Sequence, residues 1–137
     1  MLKTTPAKEV TLRLENEIGS LDAIAKAIAD KGINILAVCA WVEGSQAVIR
    51  LVTDDSVRII DALKARHYET RETDVLVTEA AHKPGILRRI TEKLAQADID
   101  IHHLYATAPL NQATALVIFA TANNDRAMVL LNAAPPP

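Results

Sequence analysis

The chain has 137 residues, 50% of them hydrophobic and 23% charged, with a formal net charge of −2. That length holds one ordinary domain or two small ones, and the apolar fraction supplies a packed core. Lys and Arg are interspersed with Asp and Glu without a basic stripe, and Trp41, Tyr68, Tyr105 and Phe119 are the only aromatic residues, so neither a nucleic-acid groove nor a base-stacking platform is expected.

Strand periodicity opens the chain. Val10, Leu12 and Leu14 alternate with Thr11 and Arg13 over Glu9–Leu14, the two-residue period of a half-buried strand. A turn follows at Asn16–Gly19. Leu21, Ile24, Ala25 and Ile28 then recur at helical spacing, with Gly32 at the expected C-cap. Ile33–Val42 is rich in β-formers, Glu43-Gly44-Ser45 is a turn, and Ala47–Thr53 completes a hairpin. Asp54, Asp55 and Ser56 supply caps for a helix carrying Val57, Ile60 and Leu63, and Arg66–Thr73 reads as a closing strand.

The second half repeats this order. Val75–Ala80 predicts a strand, His82–Gly85 a turn, Leu87, Ile90 and Leu94 a helix stripe, and Ile99–Ala106 with Thr114–Ala120 a hairpin. Asn123-Asn124-Asp125 caps a helix reaching about Leu131. A shift of 66 positions lays Gly19, Leu21, Ile24, Ile33 and Ile35 on Gly85, Leu87, Ile90, Ile99 and Ile101. After a two-residue insertion near Ala108–Gln112, a shift of 68 lays Ala47, Thr53, Arg58 and Leu63 on Ala115, Thr121, Arg126 and Leu131. One supersecondary unit is made twice.

The order β-α-β-β-α-β is the ferredoxin-like split βαβ arrangement. The expected fold class is α+β, with two such units in tandem at 8–73 and 74–132 and a disordered Pro-rich tail at 133–137. The second unit lacks its last strand, because prolines cannot donate to a ladder. Tyr68–Ala80, free of Gly and Pro, reads as one long strand crossing both sheets. The empty edge of the second unit would then accept a strand from the first or from another protomer. Val75–Val77 and Leu116–Phe119 are apolar at successive positions, so both faces of that sheet need cover. A homodimer is expected on that ground.

The chemistry-bearing residues gather at the two strand-to-helix turns. These are Asn16-Glu17-Ile18-Gly19 and His82-Lys83-Pro84-Gly85, with Ser20 and Leu21, or Ile86, opening each helix. Fourteen to sixteen residues after each Gly come Ile33-Asn34-Ile35 and Ile99-Asp100-Ile101. Amides just after Gly19 and Gly85 begin a helix and lack internal partners, so they attract a carboxylate. An oxygen of Asn34 or Asp100 could accept from an ammonium group, which would select an amino acid over a plain acid. As turn glycines alone, Gly19 and Gly85 need no ligand, and Asn16 serves equally as a turn residue. His82, Asp100, His102 and His103 have metal-ligand chemistry, but His102 and His103 face opposite sides of a strand. A solvated or interface histidine is the favoured reading, with no metal and no cofactor.

These turns, the polar residue three before Gly, the Pro before Gly85 and the Ile-Asn-Ile-like strand starts resemble the ACT domain family. The resemblance covers about Lys8 to Leu131 as two copies. It implies the ferredoxin-like fold, and a small ligand, commonly an amino acid, bound at an interface between domains. Carried onto this chain, the ligand-binding residues are Asn16, Gly19, Ser20, Leu21 and Asn34, with His82, Gly85, Ile86 and Asp100. Ile18 stands where the family has proline, and His82 where it has Asp or Asn.

The expected function is therefore a non-catalytic regulatory module that binds an amino acid and signals in trans to a partner, such as a regulated enzyme. The alternative is an assembly protein whose ACT-like units bind nothing. No nucleophile–base–orienter set supports an enzyme. The single Cys39 allows no internal disulfide and fits a reducing compartment. Met1–Val10 has no apolar leader core, and no run approaches membrane length, so a cytoplasmic protein without membrane contact is expected.

Overall fold

The computed structural model describes residues 2–108, 110 and 113–133. Most of the expected proline tail and part of the Ala108–Gln112 insertion lie outside the described residues. The elements are β1 (Lys3–Glu15), α1 (Ser20–Ala29), β2 (Ile35–Glu43), β3 (Gln46–Thr53), α2 (Ser56–Lys64), β4 (Thr70–Ala81), α3 (Ile86–Gln96), β5 (Ile101–Thr107), β6 (Thr114–Thr121) and α4 (Asn124–Asn132). The fold is α+β and ferredoxin-like in both halves. The chain divides into two compact units, Lys8–Thr73 and Met1–Ala7 together with Asp74–Pro137.

In the Lys8–Thr73 unit the strand order is β2-β3-β1-β4. β3 pairs antiparallel with both β1 and β2. Alternation on β1 sends Val10 and Leu12 into a core with Ile24 and Ile28 of α1, Ile49 and Leu51 of β3, and Ile59 and Leu63 of α2. The Asp55 side chain caps α2 by accepting from the Arg58 amide at 3.0 Å. That cap sets the helix phase, and the buried stripe is Ile59, Ala62 and Leu63. Val57, expected in the stripe, is exposed. Leu21 is likewise exposed, and α1 buries Ile24, Ala27 and Ile28.

Arg66-His67-Tyr68 does not enter the last strand. His67 takes a left-handed backbone with φ 66°. Its amide donates to Lys64 O at 3.0 Å and the Tyr68 amide to Leu63 O at 3.1 Å. This paired closure is the Schellman C-cap. Gly32 (φ 68°) ends α1 and Asp98 (φ 59°) ends α3 in the same way.

The other unit completes itself from the opposite end of the chain. Its strand order is β1-β4-β6-β5. The first residues of β1 occupy the position that the second repeat leaves without a strand. Thr4 Oγ1 and Thr78 Oγ1 of β4 share a buried hydrogen bond at 2.8 Å, and Lys3 pairs with Glu79 at 3.9 Å. Leu2 joins a core of Leu76, Ile90, Leu94, Val117, Phe119 and Leu131. The outer edge is closed by the last residue of α4. Asn132 Oδ1 accepts from the Thr4 amide at 2.7 Å, and Asn132 Nδ2 donates to Thr4 O at 2.8 Å. An amide side chain thus pairs with a peptide unit as a neighbouring strand would. Pro6, two residues on, turns its ring nitrogen to that same outer edge, so its missing donor breaks no ladder bond.

β4 is one strand of 12 residues, Thr70–Ala81. β1 runs for 13 residues and begins well before Glu9. Both faces of β6 are buried within the chain, with Val117, Ile118, Phe119 and Ala120 all enclosed. Glu9 is 0% exposed, and its Oε1 accepts from Arg50 Nη1 at 3.0 Å, as a buried carboxylate requires. Arg50 also lies 5.4 Å from the centre of the Trp41 ring. No described helix is long and apolar enough to cross a membrane.

Asn132→Ala deprives both Thr4 backbone groups of their partner. A loss of about 1–2 kcal/mol is expected, read as a lower urea midpoint for the full chain. An unchanged midpoint would show that the edge needs no closure.

Candidate functional site

Two helices have side-chain caps and two do not. Asp55 caps α2 and Asn123 caps α4. α1 and α3, which follow the two candidate turns, begin at Gly19 (φ 89°, ψ 0°) and Gly85 (φ 93°, ψ −1°) with no side-chain cap. Both glycines sit in the left-handed region, which L side chains rarely enter. The turns are therefore built alike and leave helix N-termini open.

Their surroundings differ. At the first turn the Asn16 amide donates to Ser45 O at 3.0 Å, tying the turn to the β2–β3 hairpin. Ser20 Oγ donates to Glu17 O at 2.8 Å and accepts from the Glu17 amide at 3.3 Å. The Ser20 amide donates to Glu17 O and the Ala23 amide to Gly19 O. Beside this turn lies a groove of about 400 Å³ within the Lys8–Thr73 unit. Asn16, Gly19, Ser20 and Leu21, four of the expected site residues, line it. Glu17 and Asp22 supply an acidic rim, and Ala40, Val42 and Ile49 an apolar floor. The floor follows from register: Ala40 lies opposite Ile49 and Val42 opposite Ala47. Trp41 alternates with these floor residues and sends its ring to the other face of the sheet, under Arg50.

Asn34 is elsewhere engaged. Its amide nitrogen donates to Asp54 Oδ1 and its Nδ2 to Asp54 Oδ2, each at 3.1 Å. The Asp54 amide returns a bond to Asn34 O at 3.1 Å. This three-bond clasp fastens the start of β2 to the end of β3. Asn34 is not among the residues that line the groove.

The second turn differs in the residue after its glycine. Ile86 occupies the place of Ser20 and is buried in the core of its unit. The His82 amide donates to Ala113 O at 2.6 Å, and its side chain is exposed. Asp100 has an exposed carboxylate 3.9 Å from His102 Nε2. His103 stacks on Tyr105 with ring centres 6.3 Å apart. No group of three His, Cys, Asp or Glu side chains able to hold a metal occurs among the described residues. Cys39 is a half-buried free thiol on β2, more open than its apolar setting in sequence implies.

Sequence reasoning missed the acidic rim and the apolar floor. The floor was hidden because Ala40, Val42 and Ile49 converge only through strand register. Glu17 and Asp22 flank the expected residues directly, and that adjacency was the available signal.

A family profile described as an ACT domain pair matches residues 6–134. The chain belongs to the ACT domain family. Among solved structures, protein BT0572 from Bacteroides thetaiotaomicron is similar at 26% identity, covering 93% of this chain and 88% of that one, with a TM-score of 0.86. The regulatory subunit of aspartate kinase from Thermus thermophilus, in its ligand-free form, shares the fold. It is 13% identical over 95% of this chain and 93% of that one, with a TM-score of 0.69. The regulatory subunit of aspartate kinase from Thermus flavus gives 16%, 96%, 91% and 0.65 for the same measures. No curated protein sequence matches.

An alanine Cβ at Gly19 would meet nothing within 4 Å, so the backbone conformation alone opposes it. Gly19→Ala and Gly85→Ala are each expected to destabilise by about 1–2 kcal/mol. Thermal denaturation reads this, and a neutral result at either position would refute the left-handed cap there.

Proposed function

We propose that the groove at the first turn binds a small α-amino acid with an apolar side chain. The observation that carries this reading is the joining of three chemistries in one place. The uncapped start of α1 offers N–H donors and a positive dipole end to a carboxylate. Glu17 and Asp22 offer negative charge to an ammonium group. Ala40, Val42 and Ile49 offer an apolar floor to a side chain. The exposed Asn16 side chain adds an amide able to donate and accept. His82, Gly85, Ile86 and Asp100 then serve the second unit's structure, and Asn34 orders the hairpin.

The function that follows is non-catalytic regulation. Occupancy of the groove alters the surface shown to a partner protein, such as an enzyme acting on the amino acid or its precursors. Supporting this are the family and the fold shared with regulatory subunits. The partner includes a second copy of the chain. β2 is the edge strand of its unit, and Leu36 (57%), Val38 (50%) and Val42 (56%) are exposed on it. An open, apolar edge of this kind favours strand-to-strand pairing. Val42 belongs both to this edge and to the groove. Dimerisation and ligand binding are therefore linked.

A second reading, an assembly protein without a ligand, is favoured by the buried Ile86 and by the clasped Asn34. Calorimetry against the twenty amino acids separates the two. One chemical class is expected to bind, with affinity about fivefold to tenfold weaker in Asn16→Ala, the loss of one hydrogen bond. Absence of binding by all twenty to the dimer would transfer the weight to assembly.

Val38→Lys places a charge on the free edge. A monomer with unchanged circular dichroism is expected by sedimentation equilibrium. A persisting dimer would remove β2 from the interface.

A further inference from the structure

The Lys8–Thr73 unit carries a second cleft, of about 710 Å³, on residues that the first-turn site does not use. Its volume lies within the usual range of small-molecule sites. Thr11 and Arg13 alternate on β1 with the core residue Leu12, so they point to the face of the sheet opposite the helices. Register places Arg50 of β3 directly opposite Thr11. Arg71 reaches the cleft from the start of β4 and Lys64 from the last turn of α2. Tyr68 adds a half-buried phenol. Four cationic side chains face one acidic one, Glu69.

The four cations are not equivalent. Arg50 is fixed by the buried Glu9 at 3.0 Å and lies on the Trp41 ring. Arg13 pairs with Glu43 at 3.1 Å. The side chains of Lys64 and Arg71 have no ion-pair or hydrogen-bond partner among the described residues, and both residues are exposed. A further observation comes from the wall of the cleft. Thr11 Oγ1 is buried and has no hydrogen-bond partner among the described residues. Buried hydroxyls are nearly always satisfied, by protein, water or ligand. Here the unsatisfied donor sits among positive charges.

We propose that this cleft is an anion-binding site for a small molecule bearing at least two negative charges on oxygen, as a polycarboxylate or a phosphate ester does. Arg71 and Lys64 close on the anion as the adaptable cations. Arg50 and Arg13, each already paired with a carboxylate, line the cleft and offer their remaining N–H donors. The Thr11 hydroxyl donates to one anion oxygen and gains the partner it lacks. The cationic lining is opposite in sign to the acidic rim of the first-turn groove, so the two sites take different ligands and do not compete. The proposal stands independently of the amino-acid reading.

Calorimetry of the full chain at low ionic strength, with pyrophosphate and with citrate as probes, tests it. At least one probe is expected to bind at one site per chain, and binding should weaken as salt is added. Pyrophosphate alone would identify phosphate chemistry, citrate alone polycarboxylate chemistry, and both together the shared dianion requirement. The double variant Lys64→Ala, Arg71→Ala changes only exposed side chains and should lower affinity by at least about tenfold, as expected for losing charge-assisted contacts. Thr11→Val, nearly isosteric, should weaken binding while raising the melting temperature, because it removes an unsatisfied buried hydroxyl. Asn16→Ala should bind either probe as the parent chain does. Failure of both probes at millimolar concentration would overturn the proposal. So would parental affinity in the double variant.

Discussion

A strand edge left unpaired exposes its amides and carbonyls, and a sheet tolerates this only where water or another chain can reach them. In this protein that constraint falls on β4. Among the described residues the second repeat contains two helices but no closing strand, so one side of β4 would stand open beside the Phe119 core. Residues 3–7 of β1 fill that side, and Asn132 then shields the outer edge of the filler. β1 and β4 are thereby each divided between the two units. The apolar strands Val75–Val77 and Leu116–Phe119 depend on this closure for part of their cover.

The same supersecondary unit is built twice, with different surroundings at its first turn. Both copies retain the glycine that starts the first helix in a left-handed turn, and neither caps that helix with a side chain. One residue later they part. Ser20 folds its hydroxyl back onto Glu17 and leaves the groove open, whereas Ile86 enters the core. At the strand start, Asn34 is clasped by Asp54, while the repeat-related position to Asp54 is Ala122 and the Asp100 carboxylate remains exposed. A polar residue at one position and an apolar one at its equivalent make the two turns differ.

The element order was legible because alternation and helical periodicity survive in both copies, and repetition confirmed each by the other. The extension at residues 2–7 was not, because only Leu2 and Thr4 are buried there and Lys3, Thr5 and Pro6 are exposed. Its partner, Asn132, lies 128 residues away in sequence. Helix phase was misjudged where exposed Val57 and Leu21 imitate core residues; the position of the cap decides phase, and a cap two residues earlier or later rotates the stripe. His67 was read as strand because a left-handed histidine leaves no mark in composition. Of the site, the residues adjacent to Gly19 were legible as a group. The carboxylate that captures Asn34 and the floor across the β2–β3 register were not, since both depend on residues brought together by the hairpin.

The division of β1 also imposes an order in time. Lys8–Thr73 is contiguous, so every contact of its core becomes available once those residues have been synthesised. The other unit must wait. Its filler segment is made before the Lys8–Thr73 unit and its closing asparagine after it, so the segment holds no native partner in that unit while the intervening chain emerges. Closing so long a loop is entropically slow and raises contact order. During that interval the filler segment itself has unpaired backbone edges, which exposes it to pairing with the wrong strand.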